Sequence, residues 1–142
     1  MSKETKNKIF WETTVESGDK QGNPGTAEFR LYIHKWRVPE PCPEKIYVKI
    51  EPSQLQEKPE FLTVEDAEEK PKLKSNPIVA IIHAFKPHTA TLRYHPIGDQ
   101  SEWEIGEPYV PYNLTHNEAE YLKITVMWKK PAEAGYIEFT NN

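Results

Sequence analysis

The sequence lacks the motifs by which catalysis, secretion and membrane insertion are commonly read. Its 142 residues include one cysteine, Cys42, so an internal disulfide framework is excluded. The opening MSKETKNKIFWE has no apolar stretch of the secretory kind, and no apolar run approaches the ~20 residues of a membrane-spanning helix. These features predict a reducing, cytoplasmic setting and no membrane partner. Glycine is scarce, at six residues, and neither a P-loop nor a dinucleotide-binding glycine pattern is present. Gly22-Asn23-Pro24-Gly25 is turn chemistry. No Gly-x-Ser-x-Gly elbow exists, and Cys42 sits between Pro41 and Pro43 beside Glu40 and Glu44, whose charge disfavours a thiolate. Net positive charge is also lacking. The chain carries -4 with a pI near 5.8, which argues against a protein devoted to a phosphate backbone.

Proline, by contrast, is abundant. Thirteen prolines are spread from Pro24 to Pro131, and they exclude a long helix. The 4 Trp, 7 Tyr and 5 Phe supply enough apolar area for a core. Period-2 alternation recurs along the chain. In Thr26–Trp36, Ala27, Phe29, Leu31 and Ile33 share one face, and Glu28, Arg30, Tyr32, His34 and Trp36 share the other. Ile9–Val15, Lys45–Ile50, Thr89–His95, Tyr121–Lys129 and Gly135–Thr140 alternate in the same way, and Trp103–Ile105 adds a short strand. The continuous apolar run Ile78–Phe85 predicts a strand buried on both faces.

These signals predict one all-β domain over residues 1–142, an antiparallel sandwich or partly open barrel of about seven or eight strands. At most one or two short helical turns are expected, at the capping-box sequence Thr115–Glu118 and at Thr63–Lys70. Val38–Glu44, with alternating prolines, reads as extended and stiff. A polar surface excursion is expected at about residues 51–76, where Glu65, Asp66, Glu68 and Glu69 precede Lys70, Lys72 and Lys74.

The ionisable residues form no catalytic or metal-binding pattern. His83, His88 and His95 lie close in sequence, but with one cysteine and opposite strand parity for His88 and His95 they do not make a zinc-ligand set. No metal or cofactor is expected. Glu102 with Glu104, and Glu118 with Glu120, read as ordinary surface charge. What stands out is the outward face of Thr26–Trp36, where Arg30, Tyr32, His34 and Trp36 interleave rings with cations. Residues 1–49 hold nine Lys/Arg against seven acids, whereas the remainder holds nine against fifteen. If Thr89–His95 lies nearby, Arg93 and His95 extend this face. Such a surface suits a planar or anionic ligand, through stacking and charge-assisted hydrogen bonds.

The expected function is therefore a non-catalytic binding or interaction domain that captures an anionic small molecule, a nucleotide or a protein partner. Two alternatives stay open. The order strand, polar loop Gly18–Gly25, strand Phe29–Ile33 resembles the B3-like recognition domains attached to some restriction endonucleases, a resemblance that implies DNA as partner and arms entering the major groove. VPEPCPE stands where that pattern would have a short helix. The exposed rings and edge strands also suit a small structural or assembly protein of a virus or bacterium, including a homo-oligomer.

Overall fold

A computed structural model describes residues 7–18, 24–54 and 76–141. The polar loop Gly18–Gly25 is therefore described only at its two ends. The proposed helix Thr63–Lys70 and most of the 51–76 excursion lie outside the described residues.

Eight strands follow one another along the chain: β1 Lys8–Glu16, β2 Thr26–His34, β3 Lys45–Pro52, β4 Ile78–Pro87, β5 Thr91–Pro96, β6 Tyr109–Pro111, β7 Tyr121–Met127 and β8 Ile137–Thr140. All pairings are antiparallel and all eight strands join one sheet, in the order β2-β1-β8-β3-β7-β4-β5-β6. The sheet curls until its two edges nearly meet, as a partly open barrel. Among the described residues there is no α-helix, only the 3-10 turns Lys35–Arg37, Gln100–Glu102 and Tyr112–Leu114, and no helix is long and apolar enough to cross a membrane.

The alternation in the sequence becomes the inside and outside of the barrel. Phe29, Leu31 and Ile33 of β2 are fully buried, as are Ile46 and Val48 of β3 and Leu122, Ile124 and Val126 of β7. Phe29 meets Phe139 of β8 edge to face at 5.1 Å between ring centroids. The larger core rings take their polar atoms to backbone acceptors, as burial demands. Trp11 Nε1 donates to the Pro43 carbonyl at 2.9 Å, and the Tyr94 hydroxyl donates to the Ala119 carbonyl at 2.7 Å. Burial, reinforced by the charge of Glu118, pushes the Tyr94 phenol well above its ordinary pKa.

Four local expectations are corrected. β4 is not buried on both faces throughout: Ile78, Ile81 and Ile82 are buried, but Phe85, at the register shift between Ala84 and Lys86, is 56% exposed. The Thr115–Glu118 sequence does form its capping bond, with Glu118 N–H donating to Thr115 Oγ1 at 2.9 Å. His116, Asn117 and Glu118 nevertheless have φ of 54°, 65° and 57°, so the chain makes a left-handed turn there, closed by Ala119 N–H to the Thr115 carbonyl at 2.9 Å. Trp103–Ile105 contributes a single bridge, Ile105 to Ile33, in place of a strand. Val38–Glu44 bends at Val38, Glu40, Pro41 and Glu44 instead of running straight, and the Glu40–Pro41 peptide is cis.

Candidate functional site

The two edges of the sheet, β2 and the segment leading into β6, approach each other along a seam. At one end the seam is closed by the Ile33–Ile105 bridge, with His34 N–H donating to the Glu104 carbonyl at 2.9 Å and Gly106 N–H to the Tyr32 carbonyl at 2.8 Å. Gly106 suits this crossing because a Cβ there would lie 3.3 Å from the Tyr32 Cβ. At the other end Asn113 reaches the β1 terminus, its Nδ2 donating to the Glu16 carbonyl at 2.7 Å and its N–H to Ser17 Oγ at 3.2 Å. Between these closures β2 and β6 are not hydrogen-bonded neighbours. Strand parity fixes which groups face the gap. Tyr32 C=O and His34 N–H point across the seam, so the main-chain N–H and C=O of Glu28 and Arg30 do too. On the opposite edge Tyr94 N–H donates to the Pro108 carbonyl, which turns the main-chain groups of Tyr109 towards the gap.

Along the seam lies a surface cleft with two adjoining lobes, one beside the unzipped stretch and one beside the Tyr32–Gly106 closure. One, of about 260 Å³, is lined by Glu28, Arg30, Tyr32, Glu107 and Tyr109. The other, of about 220 Å³, is lined by Lys8, Tyr32, Gly106, Glu107 and Tyr109. Tyr32, Glu107 and Tyr109 belong to both lobes.

Each side of the cleft is held by packing of its own. On β1 and β2 the outward residues pair across the ladder: Lys8 opposite His34, Phe10 opposite Tyr32, Glu12 opposite Arg30. The Phe10 and Tyr32 rings are 4.9 Å apart, and the Arg30 guanidinium lies 5.0 Å from the Phe10 centroid. Arg30 Nε sits 3.0 Å from Glu12 and 3.1 Å from Glu28. Hydrogen bonds to Glu28 and then Tyr32 hold its guanidinium above its ordinary pKa.

On the other side Arg93 lies between two exposed rings, 5.2 Å from the Phe85 centroid and 5.5 Å from that of Tyr109. Its Nη2 donates to Glu107 Oε1 at 2.9 Å. His95 Nδ1 is 2.6 Å from Glu107 Oε2, off the line of a hydrogen bond. Its ring packs edge-on to Phe85 at 4.0 Å.

The residues singled out in the sequence are thus distributed unevenly. Arg30 and Tyr32 line the cleft. Arg93 and His95 do join them, but through Glu107 and Tyr109 rather than by direct pairing of β5 with β2. His34 stands beyond Gly106 at the closed end, half-buried, where burial and then the charge of Lys8 lower its pKa below the ordinary 6.5. Trp36 is not on the outward face of β2. The strand ends at His34, and Lys35–Arg37 turns so that Arg37 points inward.

That inward turn creates a buried ion pair. Arg37 is 2% exposed and Glu104 8%, and Arg37 Nε donates to Glu104 Oε2. Arg37 Nη2 also donates to the Asn76 and Pro77 carbonyls, each at 2.8 Å. Burial pushes the Glu104 carboxyl above its ordinary pKa, with the guanidinium opposing.

Phe10, Glu107 and Tyr109 are further residues of this site that the sequence pattern does not single out. Phe10 was readable from the parity of Ile9–Val15. Glu107 and Tyr109 lie in Glu107-Pro108-Tyr109-Val110-Pro111, where two prolines hide the strand pattern. Among the described residues no three His, Cys, Asp or Glu converge as metal ligands. Comparison of the chain with protein-family models, curated proteins and solved structures returned no match.

Proposed function

We propose that this chain is a binding domain whose ligand lies in the seam cleft, with a flat face held against Tyr32 and Tyr109. The observation that carries this reading is the position of the cleft along the seam, where one lobe adjoins the stretch that the two edge strands leave unzipped. Main-chain donors and acceptors of Glu28, Arg30 and Tyr109 face the gap there, beneath two tyrosine rings. A polar floor between aromatic walls grips a ligand that offers both a flat surface and hydrogen-bonding groups. Arg30 and Glu28 supply the polar side chains of one lobe. Arg93 and His95 act behind the surface, where they position Glu107 and back the Tyr109 ring.

Both guanidiniums are already engaged by carboxylates, Arg30 by Glu12 and Glu28 and Arg93 by Glu107. The arrangement therefore favours a ligand that hydrogen-bonds over one that brings a large net charge, and the anionic ligand expected from the sequence is the second choice. The test is thermal unfolding against a panel of nucleotides, saccharides and short peptides, repeated with Tyr32→Ala and Tyr109→Ala. Loss of one stacking ring weakens a cleft ligand by about 1–3 kcal/mol, so the ligand-induced rise in Tm shrinks or disappears. A ligand whose effect is identical in wild type and both variants binds elsewhere and removes this assignment.

A further inference from the structure

The seam cleft carries a more specific inference about its ligand, which rests on the binding reading above. We infer that the occupant is a neutral oligosaccharide lying along the seam, with one sugar ring in each lobe. Three observations combine.

The first is charge. Lys8, Arg30 and Arg93 stand around the two lobes with Glu12, Glu28 and Glu107, so the formal charges cancel. Each guanidinium is within 3.1 Å of a carboxylate oxygen. A phosphate or carboxylate ligand would have to displace those carboxylates or sit beside them, and a cationic ligand would meet the guanidiniums. A neutral polyol meets neither cost. Its neighbouring hydroxyls each donate and accept, which matches a surface where a carboxylate oxygen and a guanidinium N–H lie side by side.

The second is the form of the cleft. Its lobes, at about 220 and 260 Å³, fall below the ~300 Å³ at which pockets for drug-sized ligands begin, and neither buries a ligand completely. Tyr109 is 43% exposed. Two small open lobes that share three residues fit a ligand built of repeated small rings better than one bulky planar group. The third is the pair of tyrosines. Pyranose rings present apolar C–H faces to aromatic rings, and Tyr32 and Tyr109 are the rings common to both lobes.

The experiment is ligand-observed NMR with isothermal titration on the intact chain. The probes are maltose, cellobiose, lactose and chitobiose, their monosaccharides, adenosine monophosphate, and a blocked neutral tripeptide. Saturable binding of at least one disaccharide is expected, tighter than its monosaccharide. It should fall roughly tenfold or more in Tyr109→Ala, survive in Tyr109→Phe, and change less than about twofold between low and high salt. No disaccharide binding, equal binding in Tyr109→Ala, or a steep salt dependence overturns the inference. Binding of adenosine monophosphate or the tripeptide alone, sensitive to Tyr109→Ala, also overturns it and leaves the cleft reading standing. If no probe responds to either tyrosine, both readings fall together.

Discussion

Glu104→Ala is the substitution whose outcome the structure specifies most closely. It leaves the Arg37 guanidinium, 2% exposed, without its counter-charge at the point where the turn after β2 meets the segment before β6. Removing one partner of a buried ion pair costs about 3–5 kcal/mol, because the remaining charge stays desolvated. Arg37 Nη2 keeps its bonds to the Asn76 and Pro77 carbonyls, each 2.8 Å, so the low end of that range applies. For a chain of this size about 3 kcal/mol corresponds to a fall in Tm of roughly 10 °C.

The double variant Arg37→Met/Glu104→Leu removes both charges and fills the volume with apolar atoms. It should lie within about 1 kcal/mol of wild type. The Asn76 carbonyl retains Trp128 Nε1 as a donor at 2.8 Å, and Pro77 is solvent-exposed, so neither acceptor is stranded. Urea unfolding followed by tryptophan fluorescence measures all three proteins. A loss below about 1 kcal/mol for Glu104→Ala would mean that water reaches the pair as it does at a surface salt bridge. A double variant as unstable as Glu104→Ala would mean that the guanidinium's geometry, rather than its charge balance, holds the turn. Either result refutes the reasoning.

Two further perturbations test other parts of the molecule. His34 has its pKa lowered by burial and Lys8, so the folded state resists a proton that the unfolded state accepts; stability should be constant above pH 6.5 and decline below it. His34→Gln should flatten that decline in urea titrations across the same window. Glu118→Gly relieves one left-handed residue, worth about 1–2 kcal/mol, at an unfolded-chain entropy cost of roughly 0.5–1 kcal/mol. The variant should match or exceed wild type in calorimetric Tm, and a clear loss would show that the Glu118 side chain itself supports the turn.

The strands were legible in the sequence wherever one face of the sheet meets the core and the other meets water. β2 shows this most clearly: the alternation from Ala27 to Ile33 gave the parity that places Arg30 and Tyr32 outside. That parity carried no information on where the strand stops. Arg37 looks like a surface residue in the sequence, and only the presence of Glu104 in space explains why the chain turns inward and takes Trp36 off the face. Tyr109 was hidden for a different reason. β6 is a three-residue edge strand that tolerates Pro108 and Pro111, so the residues that punctuate a turn elsewhere here flank a strand. The seam itself joins Ile33 to Ile105, a contact between residues far apart in the chain that local pattern does not encode. Sequence expected a mainly basic face. Glu28 shares that face by parity, whereas the other balancing carboxylates, Glu12 of β1 and Glu107 of the seam segment, are brought there only by the folded chain.

The β1–β2 hairpin is zipped along nine residue pairs, from Lys8–His34 to Glu16–Thr26. Its flanks carry fewer ladder pairs, Glu12–Thr140 on the β8 side and Ile33–Ile105 at the seam, supplemented by bonds from Asn141 to the Phe10 carbonyl, from Trp11 to the Pro43 carbonyl and from Asn113 to Glu16 and Ser17. The barrel is therefore a six-strand wall with a hairpin leaf set into it, and the leaf is kept in place chiefly by Trp11, Phe29 and Leu31 in the interior. Tyr32 rides on the leaf and Tyr109 on the wall, so the cleft ligand proposed above would tie the hairpin to the wall from outside, as the buried side chains tie it from within.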